Sequence, residues 1–85
     1  MAVHFLKCWP FPFEKAWDGK KTHEVRHNDR DFAIGDILRL REYDPNTKQE
    51  SGRVLDAKVT DITTGFGLPP ELCVMSIQII KQHGE

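Results

Sequence analysis

The residues best suited to chemistry crowd into one stretch, Gly19-Lys20-Lys21-Thr22-His23-Glu24-Val25-Arg26-His27-Asn28-Asp29-Arg30. Four Lys or Arg stand there against two acids, a net +2, although the 85-residue chain as a whole is −1. The rest of the molecule is therefore −3, and positive charge is concentrated locally. If Thr22 to Arg26 forms a strand, Thr22, Glu24 and Arg26 share one face and Lys21, His23 and Val25 the other. Glu24 and Arg26 would then sit about 7 Å apart, within reach of a loose pair. Arg26 and Arg30 are the better anion candidates, because a guanidinium offers two parallel donors where an ammonium offers a point charge. The competing reading is a solvated face whose ion pairs contribute little stability.

Other chemistry is poorly represented. Cys8 and Cys73 are too few, and too far from paired histidines, for a zinc site, so no structural metal and no cofactor is expected. Each cysteine reads as a small buried hydrophobe with a reduced thiol. His23 and His27 stand four apart, a ligand spacing only on a helix; with His23 on a predicted strand and His27 in the polar loop after it, both read as surface groups. The near-neutral charge excludes binding of nucleic acid by bulk charge alone. At 39% hydrophobic and 29% charged, with signs mixed, the chain is not a disordered acidic tail. No apolar run approaches the roughly 20 residues of a membrane helix, and Lys7 arrives too early for a signal peptide, so a cytoplasmic location without membrane contact is expected.

The elements that must hold these residues follow from period and punctuation, and the whole chain, 1–85, reads as a single domain. Val3 to Cys8 alternates as a strand, with Val3, Phe5 and Lys7 on one face and His4, Leu6 and Cys8 on the other. Trp9-Pro10-Phe11-Pro12 predicts a turn, followed by a helix over Phe13 to Asp18 docked by Phe13 and Trp17 and ended by Gly19. Thr22 to Arg26 is the second strand, and Gly35-Asp36 leads a third, Ile37 to Tyr43, with Leu38 and Leu40 facing in. Asp44-Pro45-Asn46-Thr47 is a turn, with a hairpin tip expected to run through Ser51-Gly52. The next strand turns Leu55, Ala57 and Val59 one way and Val54, Asp56 and Lys58 the other. After a Gly- and Pro-rich loop, Val74 to Ile80 forms the last, with Met75, Ile77 and Ile79 on one side. The sum is a mainly β fold with one or two short helices: a small barrel with a helix plugging one end.

The segment Gly19-Lys20-Lys21-Thr22-His23-Glu24-Val25-Arg26 fits Gly-x-Lys-x-x-Glu-x-Arg, and the chain resembles the ASCH family of the PUA-like superfamily of small barrels. Leu6-Lys7-Cys8-Trp9-Pro10, Gly35-Asp36 and Thr64-Gly65-Phe66-Gly67-Leu68 extend the likeness over nearly the whole chain, toward a compact group found in bacteria and their phages. The resemblance implies a cleft between helix and barrel that binds RNA or a nucleotide. On that basis the binding residues are Trp9, Gly19, Lys21, Glu24, Arg26, Arg30 and Phe66. Lys21 and Arg26 would contact phosphate or a base edge, Glu24 would orient Arg26 or accept from an amino group, and Trp9 would stack a base or else plug the barrel. Phe66 would line the mouth or cap the core.

Two other functions are open at this stage. Some ASCH proteins resemble amidohydrolases of acylated cytidine that use a Lys, a Thr and a Glu. Lys21 fits the lysine, Glu24 occupies the threonine's place, and Glu71 is the nearest acid for the third role, with Thr22, Thr63 and Thr64 as available hydroxyls. An enzyme would then rest on Lys21 and Glu24. The third reading is a protein-interaction module that docks a partner through the aromatic segment Trp9 to Trp17. Oligomeric state is not legible.

Overall fold

In the computed structural model, which describes residues 1–84, the chain runs β1 (Val3–Cys8), α1 (Pro10–Trp17), β2 (His23–His27), β3 (Ile37–Asp44), β4 (Gln49–Thr63) and β5 (Leu72–His83). The strands make one curled sheet in the order β1-β3-β4-β5-β2. β1 runs parallel to β3, and every other neighbour is antiparallel. The result is a half-barrel of mainly β structure with one short helix. Its two edges, β1 and β2, share no ladder hydrogen bonds and flank an open seam. No helix among the described residues is long and apolar enough to cross a membrane.

The alternation expected of the strands is what fills the interior. Leu6 and Cys8 of β1, Leu38 and Leu40 of β3, Leu55, Ala57 and Val59 of β4, and Cys73, Met75 and Ile77 of β5 all point inward and are buried. Helix α1 covers them with Phe13, Ala16 and Trp17. The Phe13 and Trp17 rings lie 5.7 Å apart. Arg53 of β4 stacks over both, 5.2 and 5.0 Å from their centroids, and grips Glu42 through two nitrogens at 2.9 and 3.0 Å while reaching Glu14 at 3.0 Å. One guanidinium therefore clamps helix to sheet by charge and by cation–π attraction.

Several boundaries differ from expectation for identifiable reasons. The helix begins at Pro10 rather than Phe13, since Phe13 N already donates to Trp9 O at 2.9 Å. Pro10 and Pro12 both fall in the first turn, where backbone N–H groups have no intrahelical acceptor to lose. The second strand is shifted by one residue, to His23–His27. The hairpin turn is confined to the residues around Asp44-Pro45-Asn46-Thr47, where Asp44 Oδ1 accepts from Asn46 N and Asp44 O from Lys48 N. Ser51 and Gly52 belong to β4, at a register irregularity that accompanies the inward aim of Arg53. The last strand extends to Leu72–His83 because β4 pairs with it from Val74 to His83 and β2 pairs with its start, Leu72 to Ser76. A register shift opposite Asp56 and Ala57 brings Gln82, not Lys81, to the inner face, where its amide donates to Trp17 O at 2.8 Å.

The start of β1 is fixed by Asp36. Its carboxylate accepts from Ala2 N, Ala33 N and His4 Nε2 at 3.0, 3.0 and 2.8 Å, and it is buried. The Ala2 amide first, then the His4 ring, hold its carboxyl down to about 2 from an ordinary 3.8. A depressed carboxyl stabilises the fold fully above the ordinary value, and that stability drains away as pH falls through the folded one. In urea unfolding at a series of pH values, the stability gap between wild type and Asp36→Asn is expected to be widest above about pH 4 and to close toward about pH 2.

Candidate functional site

The motif residues meet at the seam, and each spacing in Gly-x-Lys-x-x-Glu-x-Arg has a structural cause. Helix α1 ends with Gly19 N donating to Ala16 O at 3.0 Å and Lys20 N to Lys15 O at 2.9 Å, the paired bonds of a Schellman cap. Gly19 has φ +78°, and a Cβ there would meet nothing within 4 Å, so the backbone angle and not crowding requires glycine. The cap reverses the chain and delivers Lys21 two residues later to the mouth of the cleft. Glu24 and Arg26, two apart on β2, both face the concave side.

Glu24 is the centre of this arrangement. It is 3% exposed, and its two oxygens are divided between Lys21 Nζ at 2.8 Å and Arg26 Nε at 3.0 Å. Lys21 Nζ also donates to His23 O at 2.7 Å. Arg26 Nη2 crosses the seam to Lys7 O on β1 at 3.0 Å. That leaves the third Lys21 proton and the Arg26 Nη1 group facing solvent in the cleft. The triad carries a net +1 with donors to spare, which suits an anion or a carbonyl-rich base edge.

The cleft itself encloses about 320 Å³ between Lys7, Cys8, Trp9 and Pro12 on one side and Lys21, Glu24, Val25 and Arg26 on the other. That volume lies at the small end of small-molecule sites. Trp9 is 62% exposed at its rim, so it is not a barrel plug; Phe13 and Trp17 fill that role. Arg26 also borders a second recess of about 150 Å³ with Leu6, His27, Asp29, Arg30 and Phe32. Arg30 Nη1 donates to Phe5 O at 3.2 Å.

Not every predicted residue joins the site. Phe66 is 96% exposed and lines neither cleft nor recess. Thr22, Thr63, Thr64 and Glu71, the residues weighed for an amidohydrolase, are also outside the cleft lining, although Lys21 and Glu24 are in it. The aromatic segment is split: Phe13 and Trp17 are core, whereas Trp9 and Phe11 are exposed. His23 and His27 are exposed, as expected of surface groups. Among the described residues no group of three or more His, Cys, Asp or Glu is placed to hold a metal ion.

Sequence reasoning missed Lys7, Cys8, Pro12 and Val25 as lining residues. Cys8 was the most accessible of these, since it shares the inward face of β1 with Leu6. It is the only thiol of the cleft wall among the described residues, and burial pushes it up to about 11, with the Glu24 carboxylate adding to the effect. A thiol so protonated is a poor nucleophile at neutral pH.

A half-barrel whose open seam holds a charged, aromatic-rimmed cleft thus defines the class of molecule. Residues 3–77 match the model of the family described as Domain of unknown function (DUF3850), and the chain belongs to that family. It is also similar to an "Uncharacterized 12.9 kDa protein in GpA 3'region" of Escherichia phage P2. The two are 34% identical over 61 residues, which are 72% of this chain and 54% of the phage protein. The chain therefore spans about half the length of that relative.

Two outcomes follow from this geometry. Glu24→Gln, which keeps shape but removes the charge joining two cations, is expected to cost about 2 kcal/mol in urea unfolding. With Ellman's reagent at about pH 8, neither cysteine of the folded protein is expected to react rapidly, while both react once the chain is unfolded in urea.

Proposed function

We propose that the chain binds RNA or a nucleotide in the cleft formed by Lys21, Glu24 and Arg26. The observation that carries this reading is the exposed Trp9 ring at the rim of a cleft whose free donors come from Lys21 and Arg26. An aromatic face beside fixed cationic donors suits a base and its attached phosphate together. Lys21, Glu24 and Arg26 of the motif line the cleft, while Gly19 stands outside the lining and turns the chain toward it, an arrangement that supports kinship with the ASCH and PUA-like barrels. The cationic surface is local, in keeping with a chain of net charge −1.

The amidohydrolase of acylated cytidine is the second reading, favoured by the presence of Lys21 and Glu24 in one cleft. It lacks a hydroxyl nucleophile there: the threonines stand outside the lining, and the Cys8 thiol is held protonated. Binding needs only the groups already present.

An amide NMR titration with a short mixed-sequence single-stranded RNA tests the reading. Shifts are expected at Trp9 and Lys21 to Arg26 and should weaken with salt. Trp9→Ala should lower affinity by about 10- to 100-fold, the value of one stacked base, and Lys21→Ala should flatten the salt dependence. Absence of shifts at any salt concentration overturns the proposal. Deacylation of acetylated cytidine in a parallel tube, lost in Lys21→Ala, would put the hydrolase in its place.

A further inference from the structure

The two arginines of the seam do not serve it equally. Arg26, Arg39, Arg41 and Arg53 each pair with a carboxylate. Arg30, among the described residues, pairs with none; Asp29 borders the same recess without coming within ion-pair distance of it. Arg30 is instead held by a neutral acceptor, Phe5 O, just as Arg26 is held by Lys7 O. Those carbonyls are two residues apart on the free edge of β1, so they are separated by about 6.5–7 Å. The edge of the strand thus anchors one nitrogen of each guanidinium at two points about 6.5–7 Å apart.

That interval is one that successive phosphates of an extended nucleic-acid strand can match. The cleft and the recess share Arg26 as a common wall, and β1 lines both, the cleft through Lys7 and Cys8 and the recess through Leu6, with Trp9 in the first and Arg30 and Phe32 in the second. We propose that Arg30 is a second phosphate site, and that the ligand is a single-stranded oligonucleotide laid along the free edge of β1. This rests on the nucleic-acid reading of the cleft and specifies its substrate class. The same geometry favours a single strand over a duplex: an unpaired base can turn onto the Trp9 ring, and a cleft of about 320 Å³ has room for one base. Arg30 also keeps Nε and Nη2 for a ligand, so the bond to Phe5 O orients the group without exhausting it.

The test is a length series read by competition against a fluorescein-labelled tetranucleotide: uridine monophosphate, the di- and tetranucleotides of uridine, the tetranucleotide of thymidine, and a 12-base-pair RNA duplex. Affinity is expected to rise at least about tenfold from mononucleotide to tetranucleotide, and the duplex to compete poorly. Arg30→Gln should remove most of that rise, with a far smaller effect on the mononucleotide, and lower the slope of log K against log salt by about 0.7, one phosphate contact on a single strand. Arg30→Lys, which restores charge but not the fork, should recover the slope more than the affinity. The thymidine arm distinguishes RNA from DNA as the source of the strand. Equal affinity across the lengths, tight duplex binding, or an unaltered salt slope in Arg30→Gln overturns the second site while leaving the cleft reading intact. No competition by any member, together with no binding of the labelled strand, overturns both.

Discussion

One buried carboxylate organises the open side of this molecule. Glu24 is shared between Lys21, which arrives from the end of the helix, and Arg26, which reaches on to the Lys7 carbonyl of β1. Removing a carboxylate from water is costly, and two charge-assisted hydrogen bonds offset that cost only if both cations are held in place. The helix cap, the inward face of β2 and the free edge of β1 hold them there. Helix, second strand and first strand are thus joined across a seam that no backbone ladder closes. The same tie leaves spare donors pointing into the cleft, so the device that completes the fold also furnishes the site.

Comparable hubs secure the remainder. Arg53 fastens α1 to β3 and β4 through Glu42, Glu14 and the Phe13 and Trp17 rings. Asp36 fastens the start of β1 to the turn before β3. Asp56 joins Arg39 at 2.8 and 3.1 Å and His83 at 3.1 Å on the outer face. A small domain has little interior to spare, because its surface is large for its volume. Here multivalent charged groups reinforce a thin core of aliphatic residues and two aromatic rings. At the seam Trp9 is exposed and Arg30 makes no ion pair among the described residues; neither arrangement serves the core.

Much of this was legible in the chain. The alternation of Val3 to Cys8 and of Ile37 to Tyr43, and the inward set Leu55, Ala57 and Val59, gave strands with the correct faces, because period-two patterning is a local property. Phe13 and Trp17, four apart, gave the docking face of the helix. Glu24 and Arg26 could be assigned to one face from their spacing. The helix start was missed because two prolines resemble a turn when they are in fact the first turn of a helix. The extent of β5 was missed because its outer half is polar, and strand length there is set by the partner it pairs with. The roles of Trp9 and Phe66 stayed open because exposure is not encoded in residue type.

By itself the sequence determined the mainly β character, the helix before Gly19 and its glycine stop, the buried cysteines, and the concentration of positive charge between Gly19 and Arg30. Each depends on neighbours within a few positions, where sterics and periodicity act directly. Only the tertiary structure decided that β1 and β2 face each other across an unladdered seam, that Lys7 and Phe5 present carbonyls to Arg26 and Arg30, and that Trp9 stands at the rim while Phe66 stands apart. Those contacts join residues about twenty or more positions apart, and the curl of the sheet that brings them together is a sum over all five strands.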